Sequence, residues 1–173
     1  ADQAKFPHPS IQVHYARGAS LIEAFYQSVH SPYQLLVVGD PLCQPWAAIP
    51  QVTLALAGSE EPLAAGAVLS GQVEFAGSGS LPGDGRVDRF ELFVDGMRYA
   101  QFADGETASL DTTQLADGYH ELRVVGITAS PLETQGRRIL PVRFANHGRS
   151  LQMTIEPAMV ALSGSVRISL SGQ

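Results

Sequence analysis

Cysteine is nearly absent from this chain: of 173 residues, only Cys43 carries a thiol. One cysteine excludes an internal disulfide and a cysteine-rich metal site. Lysine is as scarce, with Lys5 alone, and Trp46 is the one tryptophan. The 11 basic residues are outnumbered by 17 acidic ones, for a formal net charge of −6. No basic cluster stands against that balance, which argues against nucleic acid and anionic membranes as partners. No apolar run approaches the roughly 18 residues needed to span a bilayer, so membrane insertion is not expected. The opening ten residues hold neither the charged start nor the apolar stretch of a signal peptide. A disordered chain is excluded as well, because 45% of the residues are apolar and only 16% are charged. The length supports one full domain and part of another, or one large domain.

What is present changes character along the chain. Residues 1–48 hold the one convincing helix. Ser20 followed by Glu23 forms a capping box, and Leu21, Ile22, Phe25, Tyr26 and Val29 recur at helical spacing up to Ser31-Pro32. Before it, residues 11–15 alternate like a half-buried strand. After it, residues 34–38 form a continuous apolar run expected of a strand covered on both faces. Strand, helix and strand make a βαβ-like unit, too small to cover its own faces and so expected to be the end of a larger α/β domain.

Residues 49–147 read differently. Alternation over 52–56, over Leu69, Gly71, Val73 and Phe75, and over Phe90, Leu92 and Val94 marks three strands. Asp95-Gly96 between apolar runs signals a hairpin into a fourth strand, Met97 to Phe102. Ala108 with Leu110, then His120 to Gly126 after Asp117-Gly118, then Leu140 to Phe144, complete seven short strands. That number in about 95 residues is expected of an immunoglobulin-like β-sandwich, so the fold class is mainly β. Residues 148–173 add two strand patterns, and here Leu69-Ser70-Gly71-Gln72-Val73-Glu74-Phe75 returns as Leu162-Ser163-Gly164-Ser165-Val166-Arg167-Ile168. The offset of 93 residues is close to one sandwich length, as if a second module began there. The alternative is that these strands extend the first sandwich.

Two stretches resemble known families. Residues 87–96 (Val-Asp-Arg-Phe-Glu-Leu-Phe-Val-Asp-Gly), 110–120 and 122–126 resemble the bacterial Ig-like domains found in tandem on exported and cell-surface proteins. The resemblance implies a non-catalytic module, placed outside the cell, at its surface or in the periplasm. Thr128-Ala129-Ser130-Pro131 stands in place of the family's Asp-rich ending, a departure that weakens any inherited calcium or ligand role at that loop. The stretch from Gly18 to Ala47, with Gly39-Asp40-Pro41-Leu42-Cys43-Gln44-Pro45-Trp46-Ala47, resembles the closing segment of a large uncharacterised bacterial family whose upstream part is gingipain- and caspase-like. No position here matches that family's catalytic histidine or cysteine.

Chemistry-bearing residues are few. Cys43 with His14 or His30 as base would make a nucleophile, but no spacing brings a base and an orienting group to the sulfur, so a buried, inert thiol is expected. The Gly39-Asp40-Pro41 turn sits at the carboxyl end of the buried strand, where Asp40 is expected to cap local amides and Pro41 to end the strand, the alternative being a lining of the parent domain's pocket. His120 shares a face with Leu122 and Val124 and lacks companions at metal-ligand spacing. The glycine-rich stretch 77–85 precedes a strand and lacks the Gly-Lys-Ser/Thr ending of a phosphate loop. Among scattered acidic residues, Asp84 and Asp88 are the weak calcium candidates, with solvated turns as the simpler account. Tyr99 and Phe93 offer a small aromatic patch for sugars, explained equally by hairpin packing.

No catalytic residue, cofactor or firm metal site is therefore expected. The leading expectation is a structural or interaction module of a multidomain exported protein. An accessory region of a caspase-like cysteine peptidase is the first alternative, and a carbohydrate-binding module the second. Expected partners are neighbouring domains of the same polypeptide, with self-association through the exposed α/β end. Trp46, in a short proline-flanked linker, is expected to pack between the two halves.

Overall fold

Alternation of apolar and polar side chains is what sets the architecture. In β1 (Gln51–Leu56), Val52 and Leu54 turn inward while Gln51 and Thr53 face water. The same period of two governs β3 (Gln72–Ser80), β4 (Val87–Val94), β6 (Thr107–Asp111) and β8 (Gln135–Phe144). The computed structural model, which describes residues 3–33, 36, 38–83, 85–148, 151–156, 159 and 161–172, places these strands in two facing sheets. One sheet has the order β1-β3-β6. The other, with β2 (Ala67–Leu69), β5 (Met97–Ala103) and β7 (Gly118–Thr128), has the order β2-β8-β7-β4-β5. Every pairing in these two sheets is antiparallel except β2 with β8. The result is a mainly β, immunoglobulin-like sandwich.

The core lies between the sheets. Phe75, Leu54 and Leu110 come from the smaller sheet, and Phe90, Leu92, Leu122, Val124, Val142 and Phe144 from the larger, all fully buried. Each such side chain contributes about 1.5–3 kcal/mol of transfer free energy. The Asp95-Gly96 hairpin forms as the sequence indicates, with Val94 opposite Met97 and both turn residues at positive φ (50° and 83°). Positive φ at both central residues is the conformation that matches the twist of the flanking strands.

The run from Leu69 to Phe75 is two strands, not one. Gly71, at φ +66°, breaks it, so β2 pairs with β8 and β3 crosses to the other sheet. The glycine-rich stretch also differs from the expected loop, because Gly77 and Gly79 lie inside β3 opposite Leu54 and Val52. A Cβ at Gly77 would fall 2.7 Å from the Phe90 ring, and one at Gly79 would collide with Val87. These glycines make room for the core.

The amino-terminal segment departs from the expected βαβ unit. Residues 11–15 belong to a helix, α1 (Ser10–Ala16), not a strand. Besides Ser10 at its start, Ile11, His14 and Tyr15 are the half-buried positions, with His14 and Tyr15 three and four residues after Ile11, and Pro9 at φ −51° starts the turn. The second helix, α2 (Leu21–Tyr26), carries the expected capping box: the Glu23 carboxylate accepts from the Ser20 amide at 2.8 Å, and Ser20 Oγ from the Glu23 amide at 3.4 Å. It ends three residues before Val29. Of the run 34–38, Gln34, Leu35 and Val37 lie outside the described residues. Leu36 and Val38 are 88% exposed and in no strand, so the doubly covered strand is not formed by them. Trp46 lines a cleft between Arg17 and the sandwich residues Leu81, Arg86 and Thr128, yet remains 64% exposed. It borders both halves without being buried by them.

Finally, β9 (Leu151–Glu156) and β10 (Arg167–Gly172) form a separate antiparallel pair. Replacing Gly77 by alanine is expected to destabilise the protein by about 1–3 kcal/mol through overpacking against Phe90, read from the shift of the urea midpoint at unchanged m-value.

Candidate functional site

Each chemistry-bearing residue can be followed to its partners, beginning with the thiol. Cys43 is exposed, contrary to the burial expected of it. Its sulfur accepts a hydrogen bond from the Tyr15 hydroxyl at 3.4 Å, which raises the pKa of that phenol. No imidazole is bonded to the sulfur, and the candidate base His14 instead lines a cleft with Arg17, Gln27 and Pro131. The carbonyls of Pro41 and Cys43 accept from the Ile22 and Leu21 amides at 3.0 and 2.9 Å. The Gly-Asp-Pro-Leu-Cys turn therefore satisfies the free amides of the first turn of α2. Asp40 shapes the turn, its Oδ1 accepting from the Leu42 amide at 3.1 Å.

His120 sits at the start of β7, buried and stacked on Phe144 at 4.2 Å between ring centroids. Nδ1 lies 2.6 Å from Asp95 Oδ2, and Nε2 lies 2.7 Å from the Ala116 carbonyl. Both neighbours are acceptors, so both bonds form only when both ring nitrogens carry protons. Burial alone pushes the imidazole pKa down; the Ala116 carbonyl and the Asp95 carboxylate outweigh it, and the net shift is upward. For Asp95, burial likewise opposes, but the Glu121 amide and His120 carry its pKa below the ordinary value. His120 thus ties the β4–β5 turn to the β6–β7 connection.

A second tie involves a residue that sequence reasoning did not single out. Asn146 Oδ1 accepts from the Gly71 amide at 2.8 Å, and its Nδ2 donates to the Thr112 carbonyl at 3.0 Å. Thr112 is fully buried, its hydroxyl 2.9 Å from the Gly71 carbonyl. Asp117 accepts from the Asn146 and His147 amides, both at 2.9 Å. Those two backbone bonds hold the Asp117 carboxyl well below its usual range, at about 2. The signal available in the sequence was the Asp117-Gly118 turn, but nothing near Asn146 marks it as the acceptor.

Of the calcium candidates, Asp84 lies outside the described residues. Asp88 is exposed on β4, its carboxylate 3.7 Å from the Arg89 guanidinium. Among the described residues no three His, Cys, Asp or Glu side chains converge as a metal site would require. No helix of the described residues is long and apolar enough to cross a membrane.

A cleft of about 630 Å³ lies where the start of β1 meets the outer face of the larger sheet. Phe93, Arg123, Val125, Gln135, Arg137 and Arg138 line it with residues 49–52 and Gly136. Arg123 donates to Glu121 at 2.7 Å, while Arg137 and Arg138 are in no ion pair among the described residues. Such a lining can donate hydrogen bonds to an anionic group. Its lining includes no serine, threonine, cysteine or histidine.

No family model and no curated protein matches this chain. Solved structures similar to it include an endo-beta-1,4-mannanase from Thermotoga petrophila, at 16% identity and TM-score 0.40, covering 56% of this chain and 20% of that one. Fibronectin(III)-like modules of Clostridium thermocellum CbhA align at 15% identity and TM-score 0.41, over 57% of this chain and 48% of that one. A lytic polysaccharide monooxygenase from Jonesia denitrificans aligns at 15% identity and TM-score 0.36, over 53% and 77%. The chain thus spans a fifth and about half of the first two proteins. The sandwich assignment rests on the strand order and shared core described above, not on these alignments.

Two measurements follow. The tie through His120, whose folded pKa is raised, is fully present below the ordinary value of about 6.5 and is lost as pH rises through the folded pKa. The tie through Asp117, whose folded pKa is lowered, is present above the ordinary 3.8 and is lost as pH falls toward about 2. Urea midpoints should therefore fall on both sides of a plateau, with His120→Gln flattening the alkaline limb and Asp117→Asn the acid limb. Separately, calcium should leave the melting temperature within about one degree of that in chelator, since only a bound ligand shifts it.

Proposed function

We propose that this chain is a non-catalytic immunoglobulin-like structural and interaction module of a multidomain exported bacterial protein. Its partners in this reading are neighbouring domains of the same polypeptide. The observation that supports it most is where the reactive side chains go. His120, Asp95, Asp117 and Asp40 are each bonded to backbone or to one another in ways that fix strands and turns. A general base needs a free lone pair, and His120 has an acceptor at each nitrogen. A thiol nucleophile needs a base within hydrogen-bond reach, and the sulfur of Cys43 faces a phenol of raised pKa.

The runner-up, an accessory region of a caspase-like cysteine peptidase, draws support from the residues around Asp40 and Cys43. In that case the turn would still act as a helix cap, and the chemistry would belong to other parts of the polypeptide. The carbohydrate-binding reading draws on Phe93 and Tyr99, which lie on a sheet face and an edge strand. Peptidase, esterase and glycosidase panels are expected to read blank with the purified chain, and insoluble polysaccharides to leave it in the supernatant. Turnover that disappears in Cys43→Ala would overturn the non-catalytic reading, and retention on a polysaccharide would favour the carbohydrate reading.

A further inference from the structure

The repeat between Leu69–Phe75 and Leu162–Ile168 preserves Leu, Ser, Gly and Val at the same four places. The strand registers extend that match into three dimensions. In the first hairpin, Leu56 faces Phe75, Leu54 faces Gly77 and Val52 faces Gly79. In the second, Ile155 faces Ile168, Met153 faces Leu170 and Leu151 faces Gly172. Setting Phe75 on Ile168 by the sequence repeat also sets Gly79 on Gly172, and it sets Leu54 and Leu56 on Met153 and Ile155. The β9–β10 pair therefore repeats β1–β3 in sense, register and choice of apolar face.

The two hairpins differ in what lies above that face. Over β1–β3 the larger sheet closes the core, leaving Leu54 and Phe75 at 1% and 0% exposure. On β9–β10 the equivalent residues are open: Met153 is 61% exposed, Ile155 45%, Ile168 61% and Leu170 63%. The opposite face pairs Gln152 with Ser171, Thr154 with Ser169 and Glu156 with Arg167, all polar. A two-stranded ribbon with one apolar and one polar face is only marginally stable alone in water.

We infer that β9 and β10 are the opening strand pair of a second sandwich, whose apolar face takes an immunoglobulin-type sheet equivalent to β4, β7 and β8 from further residues of the same polypeptide. This rests on the multidomain reading above and names the partner of one surface within it. A second copy of the described sheet does not fit the role, because its inner face is already filled by β1, β3 and β6. Size complementarity adds a constraint. Gly77 leaves space for the Phe90 ring, whereas its counterpart in the second hairpin is Leu170. The covering strand equivalent to β4 must therefore carry a residue smaller than phenylalanine where Phe90 sits.

Native-state hydrogen exchange on the natural full-length polypeptide and on the 173-residue chain tests this. In the full-length protein, the amides of residues 152–156 and 168–172 are expected to be protected to the level of β1 and β3. In the 173-residue chain they are expected to exchange at least about a hundred-fold faster, at a rate independent of protein concentration. Fast exchange in both, protection in the short chain that grows with concentration, a natural chain ending at Gln173, or a phenylalanine aligned with Phe90 in the continuation would each overturn the inference. None of these outcomes bears on catalysis, and turnover in the enzyme panels would leave the inference standing.

Discussion

The ring of Phe90 is the object around which this sandwich is arranged. It occupies the centre of β4 and stacks on Phe102 of the adjacent edge strand at 5.6 Å. Across the core it reaches the backbone of β3, and a Cβ at Gly77 would fall 2.7 Å from it. Directly opposite in β7, a Cβ at Gly126 would fall 2.8 Å from the Val52 side chain and 3.3 Å from the ring. One strand surrenders a side chain to the ring, and a second surrenders one to Val52 and the ring together. Glycine in a strand interior is unfavourable in itself. Here the loss is offset by burial of a whole phenylalanine, which is worth about 1.5–3 kcal/mol. The ring also constrains how the two sheets face each other, because it needs glycine beneath it in β3.

Hydrogen bonds close the end of the sandwich that Phe90 does not reach. Gly71, Thr112, Asn146 and Asp117 come from three separate connections, and their bonds join the β2–β3 switch, the β6–β7 connection and the exit from β8. His120 stacks on Phe144 beside them and fastens the β4–β5 turn through Asp95. Buried polar groups that are fully bonded specify one arrangement, whereas apolar packing alone tolerates several. The same bonding occupies both oxygens of Asp117 with backbone amides and sets an acceptor against each nitrogen of His120.

Strands with one covered face announce themselves by alternation, which is why β1 and β4 through β8 are legible from residue pattern; β9 and β10 alternate in the same way, although their apolar face is open. Three features were not, each for a physical reason. The run 11–15 alternates over only five residues, and such a run cannot be told from a helical turn; Pro9 starts the helix, and Ile11, His14 and Tyr15 turn to its half-buried side. Leu69 to Phe75 keeps its period through Gly71, so the pattern is blind to the backbone turn that sends its two ends into different sheets. The glycines at 77 and 79 look like a loop in one dimension because the ring and the valine that require them lie elsewhere in the chain. Asn146 was missed for the same reason: its donors and acceptors are 34 and 75 residues away in sequence. At Cys43 the expected burial is not found, since the thiol is open to solvent beside the Tyr15 hydroxyl; His120 is buried and bonded to a turn carbonyl as its place among apolar neighbours suggests.

Repetition of a hairpin within one polypeptide carries a hazard, because either copy can compete for the same covering sheet during folding. Here the two copies differ at the point where exchange would matter most. The larger sheet presents Phe90 to a glycine in β3; the position of that glycine in β10 is held by Leu170. Seating β9–β10 on this sheet would drive a leucine side chain into the space of the ring, and overpacking of that kind costs about 1–3 kcal/mol. The reverse exchange, with β1–β3 on a sheet shaped for leucine, would leave a void beneath Gly77. Discrimination between such similar partners requires a clash against the wrong one as well as a fit to the right one. The glycine-to-leucine difference between Gly77 and Leu170 would supply both.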